Sequence, residues 1–198
     1  MKGNGEVHEN ILDQGLELAS VVGFGGLTIG RLAKQVGMSK SGLYAHFSSK
    51  DALQMQLLEH AADHLQQLVI APAFAKPRGE ERIEALVEGW LEWASGSVFR
   101  GGCVLLAASI EFDDQPGPQR ERTLAIQRDW LDSLAHSAHG AVQDGTYRSD
   151  LDCDRFAYEA YGLLLSHHLY LRLLDDQRAE TWVREAFEAL RYAARLRH

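Results

Sequence analysis

Between Thr28 and Lys50 the chain reads TIGRLAKQVGMSKSGLYAHFSSK, a stretch with four cationic side chains (Arg31, Lys34, Lys40, Lys50) and no carboxylate. Cations interleaved with the hydroxyls of Ser39, Ser41 and Tyr44 suit a polyanionic partner. Ammonium and guanidinium groups neutralise phosphates, and small polar groups reach base edges. Residues 1–50 hold five Lys and Arg against four Asp and Glu, a net +1, whereas residues 51–198 carry a net −9. A chain of net charge −8 is not steered to nucleic acid at long range. Attraction must therefore come from this local face, doubled if the chain dimerises.

Two short helices are needed to position that set. Thr28 stands where an N-cap hydroxyl belongs. Ile29, Leu32, Ala33 and Val36 follow at i, i+3, i+4 and i+7, one apolar stripe. Gly37 falls where a left-handed residue ends a helix, and Ser39 caps the second helix. There Leu43 and Phe47 share the inner face, leaving Lys40, Ser41 and Tyr44 outward. Gly42 costs roughly 1 kcal/mol inside a helix, and close approach of its backbone to a groove would explain it. Ser48 reads as the cap of a third helix with Asp51 completing a capping box. Lys50 in its first turn reads as a phosphate anchor. Taken singly, Lys50 could be solvated, Tyr44 could pack, and Arg31 and Lys34 could touch nothing. The agreement of charge, caps and helix–turn–helix spacing in one window carries the reading.

The run from Ile11 through Leu58, including ILDQGLELASVVGFGGLTIGRLAKQVGMSKSGLYAHFSSKDAL, resembles the N-terminal domain of the TetR family of bacterial transcriptional repressors. The glycine turn after the first helix, Thr28, and the Leu-Tyr-x-His-Phe run carry the likeness. The resemblance implies that the helix capped by Ser39 enters the major groove and that Thr28, Lys40, Tyr44, His46 and Lys50 touch DNA. With the residue reading, the expected DNA-binding set is Thr28, Arg31, Ser39, Lys40, Ser41, Gly42, Tyr44, His46 and Lys50. The Gly23–Gly26 turn is richer in glycine than is usual for that family, which predicts a looser hinge.

The rest of the chain reads as all-α, about nine helices in total. A helix–turn–helix domain is expected over 1–49 and a helical effector-binding and dimerisation domain over 50–198. Helices are expected near 7–22, 50–69, 80–97, 104–112, 119–143, 153–174 and 179–196. Between Phe156 and Leu174 apolar residues lie on nearly every face. A helix apolar all round needs cover on all sides, so the last two helices are expected to pair with those of a second copy. The resemblance implies the same homodimer, presenting two recognition helices to a palindromic operator in double-stranded DNA.

Regulators of this kind resemble ligand-gated switches, and Trp90, Trp93, Phe99, Cys103, Phe112, Trp130, Tyr161 and His167 form a candidate lining for a small-molecule effector. An aromatic stripe at helical spacing is also what a plain core looks like. GGCVLLAASIEFDD resembles one TetR subgroup's effector domain but names no ligand. Cys103, after two glycines at a helix start, is either a buried small hydrophobe or a thiol sensor. Glu111, Asp113 and Asp114 read as a solvated turn, and the pairs His136/His139 and His167/His168 have no spacing that demands a metal. No metal, cofactor or catalytic residue is expected. Two cysteines without disulfide or metal spacing, a polar N-terminus and the lack of a long apolar stretch predict a cytoplasmic protein with no membrane partner. The function expected is a DNA-binding transcriptional regulator, a repressor released from its operator by a small molecule. The alternatives are a helical-bundle enzyme and a ligand-binding module that no longer reads DNA.

Overall fold

The structure, a computed structural model, describes residues 4–195. Among them are ten α-helices: α1 (Asn4–Gly26), α2 (Ile29–Gln35), α3 (Lys40–Tyr44), α4 (Lys50–Leu65), α5 (Ala71–Phe74), α6 (Glu80–Ala94), α7 (Val104–Phe112), α8 (Pro118–Gln143), α9 (Cys153–Arg172) and α10 (Ala179–Ala194). Extended pairing among the described residues is limited to one isolated bridge, Tyr147 with Arg195. No described helix is long and apolar enough to cross a membrane. The all-α expectation holds, with α5 as the helix not anticipated.

Several boundaries differ from those read in the sequence. The helix expected to run to Val69 leaves the α conformation at Leu65 and continues as a π-helical turn, Gln66–Ile70. Pro72, expected as a break, sits in the first turn of α5, which continues directly from the π turn. The cap of α4 is Ser49, not Ser48: Ser49 Oγ accepts from the Ala52 amide at 3.0 Å. The residue three beyond this cap is alanine, so no capping box with Asp51 forms. Leu196, the expected end of the last helix, lies outside the described residues.

The chain divides into two compact units. One holds the residues up to Leu65 with Gly96–Ile126, the other Gln66–Ser95 with the residues from Gln127 on. In the first, α1 packs on α2, α4 and α7. Its core is built from Ile11, Leu16 and Phe24 of α1, Leu32 of α2, Leu43 of α3, and Leu53 and Leu57 of α4, all fully buried. Burial of one such leucine stabilises by roughly 1.5–3 kcal/mol, so short helices α2 and α3 persist through packing rather than propensity.

In the second unit α6 lies on α9, and α9 on α10. The π turn also meets α6 closely: a Cβ added at Gly89 would stand 3.1 Å from Val69 Cγ1. An ionic cluster joins α6 to α10. Glu80 accepts from Arg191 Nε at 3.1 Å and from Arg195 Nε at 2.9 Å, and Glu84 and Glu188 also pair with Arg191. Trp182 is 42% exposed, with the Arg178 guanidinium 4.7 Å above its ring. The buried stripe of α10 is Val183, Phe187, Arg191 and Ala194, one position out of register with Trp182.

Candidate nucleic-acid interface

α2 and α3 are capped as their sequence dictates. Thr28 Oγ1 accepts from the Arg31 amide at 3.2 Å, and Ser39 Oγ from the Gly42 amide at 3.0 Å. These bonds satisfy orphan donors of each first turn. With Leu32, Ala33 and Leu43 buried, the opposite face presents Thr28, Arg31, Lys34, Ser39, Lys40, Ser41 and Tyr44, all exposed. Tyr44 is the most telling, a large aromatic with 55% of its surface in solvent. Lys40 lies across α2, where a Cβ on Gly30 would come within 3.0 Å of its Cε. Glycine at 30 leaves room for that lysine stem. Gly42 has a local reason: a Cβ there would stand 3.2 Å from the capping Ser39 Oγ.

Two members of the expected set have further partners. His46 is half-buried, its ring 5.7 Å from His8 and 6.3 Å from Phe47. Lys50 is half-buried, and its Nζ donates to the Gly25 carbonyl at 2.8 Å. Lys50 is thus a brace of the α1–α2 elbow, with ammonium donors left over for a phosphate.

That elbow, expected to be loose from its glycines, is hydrogen-bonded by side chains from outside it. The backbone breaks at Gly23, with φ 73° and ψ 168°, and a new turn begins whose first amides lack intrahelical acceptors. Glu111, at the far end of α7, supplies them: Oε1 accepts from Phe24 N at 3.0 Å and Oε2 from Gly25 N at 2.6 Å. The carbonyls are also taken. Phe24 O accepts from buried Gln54 Nε2 at 3.0 Å, Gly25 O from Lys50, and Gly26 O from Arg31 Nη1 at 3.2 Å. A side chain at 23 would collide with the Glu111 carboxylate. The glycines serve a tight clamp, and Glu111, read as part of a solvated turn, is its centre.

The expected effector lining divides between the two units. In the first, Phe112 packs on Phe24 with ring centroids 5.5 Å apart, Phe99 lies 5.9 Å from His64, and Cys103 is the buried N-cap of α7, its Sγ accepting from Leu106 N at 3.3 Å. In the second, Tyr161 stands between Trp90 and Trp130, at 6.4 and 6.3 Å, and donates to Gln127 Oε1 at 2.7 Å. Tyr161 also borders a cleft of about 540 Å³ between α8 and α9. Trp93 is buried. His167 lines a groove of about 230 Å³ between α9 and α10. His168, read in the sequence only as half of a histidine pair, faces Trp90 at 6.5 Å. Burial, then Arg172 and His167, hold its pKa below the ordinary histidine value. Trp130 Nε1 and His168 Nε2 are buried donor or acceptor atoms without a hydrogen-bond partner.

A capped pair of short helices with an acid-free cationic face defines a helix–turn–helix protein of the kind that reads DNA. Residues 11–55 match the model of bacterial regulatory proteins of the tetR family, and residues 79–187 the tetracyclin repressor-like C-terminal domain. The chain belongs to the TetR family of transcriptional regulators, and so to a class of regulators rather than enzymes. Among solved structures it is similar to a TetR transcriptional regulator from Chloroflexus aurantiacus J-10-FL, at TM-score 0.85 and 25% identity over 98% of both chains. AibR, solved with isovaleryl coenzyme A and operator DNA, matches at TM-score 0.70 and 21% identity over 91% of this chain and 98% of that one. The biofilm operon icaADBC negative transcriptional regulator IcaR of Staphylococcus aureus (strain Newman) is 32% identical over 62 residues, 31% of this chain. That match spans 33% of the relative's length.

Proposed function

We propose that the chain is a dimeric repressor whose residues 1–49 read a palindromic operator and whose residues 50–198 bind a small effector and dimerise. The observation that carries the reading is the exposed face of Arg31, Lys34, Lys40 and Tyr44 over α2 and α3 on a chain of net charge −8. IcaR's role as a negative regulator and AibR's complex with a coenzyme A ester and operator DNA support it. Elements beyond residue 50 reach the elbow of the reading head, α4 through Lys50 and Gln54 and α7 through Glu111. A ligand that binds more tightly when α4 or α7 is displaced shifts the head away from its DNA-competent geometry. Trp90, Trp130, Tyr161 and His168 are the side chains proposed to meet that ligand, with the Trp130 and His168 nitrogens available to it.

Fluorescence anisotropy with duplex fragments drawn from beside the coding region tests the DNA reading. Affinity should fall steeply as salt rises. Tyr44→Ala should weaken binding by about 1–3 kcal/mol, roughly 5- to 150-fold, at unchanged stability. Absence of binding at every ionic strength would sink the proposal.

The dimer is proposed from α9 and α10, where Leu169, Leu173 and Leu174 are exposed, as is Trp182, which lines the His167 groove. Leu169→Glu should weaken self-association about tenfold or more in sedimentation equilibrium. An unaltered dimer would remove this face from the interface.

A further inference from the structure

On the seam of α1 and α4, three metal-type donor atoms converge. His60 and His64 stand one turn apart on α4, and their Nε2 atoms are 3.3 Å from each other. Asp13 of α1 places Oδ1 2.7 Å from His60 Nε2 and 3.5 Å from His64 Nε2. All three side chains are partly open to solvent, so an ion can reach them.

Hydrogen bonding alone fits this triangle poorly. A neutral imidazole nitrogen either carries a proton or offers a lone pair. If His60 Nε2 donates to Asp13, it has no lone pair left for His64. If it accepts from His64, it faces the Asp13 carboxylate lone pair to lone pair. If both rings donate to Asp13 Oδ1, the His64 bond is long at 3.5 Å and the two N–H groups are crowded side by side with their nitrogens 3.3 Å apart. One cation satisfies all three lone pairs together. Bonds of about 2.0–2.1 Å to a tetrahedral ion set its ligand atoms about 3.3 Å apart. Two edges of the triangle, 3.3 and 3.5 Å, already match that spacing, and the 2.7 Å edge needs to open by about half an ångström.

We propose that Asp13, His60 and His64 bind a divalent first-row transition metal ion, with water in the remaining coordination positions. Two imidazoles and one carboxylate suit zinc, cobalt or nickel and disfavour magnesium or calcium, which take oxygen ligands. The ion ties the reading head's first helix to α4, the helix whose Lys50 and Gln54 hold the elbow. The site is independent of whether the head reads DNA; only its use as an effector site rests on that reading.

Titrating the full chain with Co²⁺ at neutral pH, followed by visible absorption, tests the site without DNA. One Co²⁺ per chain should bind at micromolar or tighter affinity, yield to Zn²⁺ and ignore Mg²⁺. Asp13→Asn and His64→Gln should each weaken binding at least about tenfold and abolish the Zn²⁺-induced rise in melting temperature, with far-UV circular dichroism unchanged. Absence of a cobalt spectrum at millimolar metal, or a spectrum retained by the His60→Gln/His64→Gln double variant, overturns the site. Zn²⁺ should also change the parent's DNA affinity but not that of Asp13→Asn, and an unchanged parent affinity overturns the effector role.

Discussion

Alanine in place of Glu111 should cost the first unit about 2–4 kcal/mol and lower DNA affinity beyond what Tyr44→Ala does. The carboxylate accepts two backbone amides at 3.0 and 2.6 Å, and a hydrogen bond to a charged group is worth about 1.5–3 kcal/mol. The Gly25 bond faces solvent and falls at the low end. The Phe24 bond is partly buried beside a fully buried ring, so its loss also leaves an unmet donor. Glu111→Gln keeps one acceptor oxygen and turns an NH₂ toward the second amide, so it should lose roughly half as much. Hydrogen exchange supplies the local readout: the Phe24 and Gly25 amides should exchange faster in Glu111→Ala while those of α9 stay unchanged. Unaltered exchange at both amides would show that the elbow holds its shape without α7. If the clamp matters as argued, α7 belongs with the reading head mechanically, although it lies more than fifty residues beyond it in the chain.

This clamp marks where the sequence stopped being legible. Periodicity and caps are local signals, and they located α7 at Val104–Phe112 and α9 and α10 from Cys153 and Ala179 as the structure has them. Thr28 and Ser39 were readable as caps because the amide each satisfies lies three residues on. Glu111 and Gly25 are separated by 86 residues, and no periodicity joins them, so three glycines read as slack where a distant carboxylate holds the turn. The same holds for Asp13 with His60 and His64. The i, i+4 histidine pair on α4 is visible in the sequence, but two ligands make no site until another helix brings the third. Trp182 shows the limit of periodicity itself: Trp182 and Val183 both fit a helical repeat, and only the packing of α10 on α9 decides which is buried. The expected aromatic lining is shared between the two units for a related reason. Phe99 and Phe112 resemble Trp90 and Trp130 in chemistry, yet the chain path assigns them to different units.

The second large effect lies in the other unit. Glu80→Ala should destabilise it by about 2–4 kcal/mol at neutral pH, read as a lower urea midpoint with an unchanged slope. The glutamate is largely covered, with 21% of its side chain exposed, and Arg191 is more so, with 11%. Removing one member of such a pair strands the other's charge. Glu84 and Glu188 still pair with Arg191, which keeps the cost below that of a solitary buried pair. Burial alone would push the Glu80 carboxyl pKa up. Hydrogen bonds from Arg195 and Arg191 outweigh it and hold the carboxyl below the ordinary glutamate range. A group whose pKa is lower folded than unfolded binds fewer protons in the native state. Its stabilisation is therefore complete above the unfolded value and disappears as pH falls through the lower folded one. The Tyr147 hydroxyl, 3.4 Å from Glu80 Oε1, responds in the opposite sense: burial and then the Glu80 charge raise its pKa above the ordinary tyrosine value. It stays protonated throughout and donates to the carboxylate. The gap in stability between the parent and Glu80→Ala should thus be widest at neutral pH and shrink as the solution is acidified below the ordinary glutamate range. A gap that stayed constant into acid would mean that Glu80 acts there by filling space rather than by its charge.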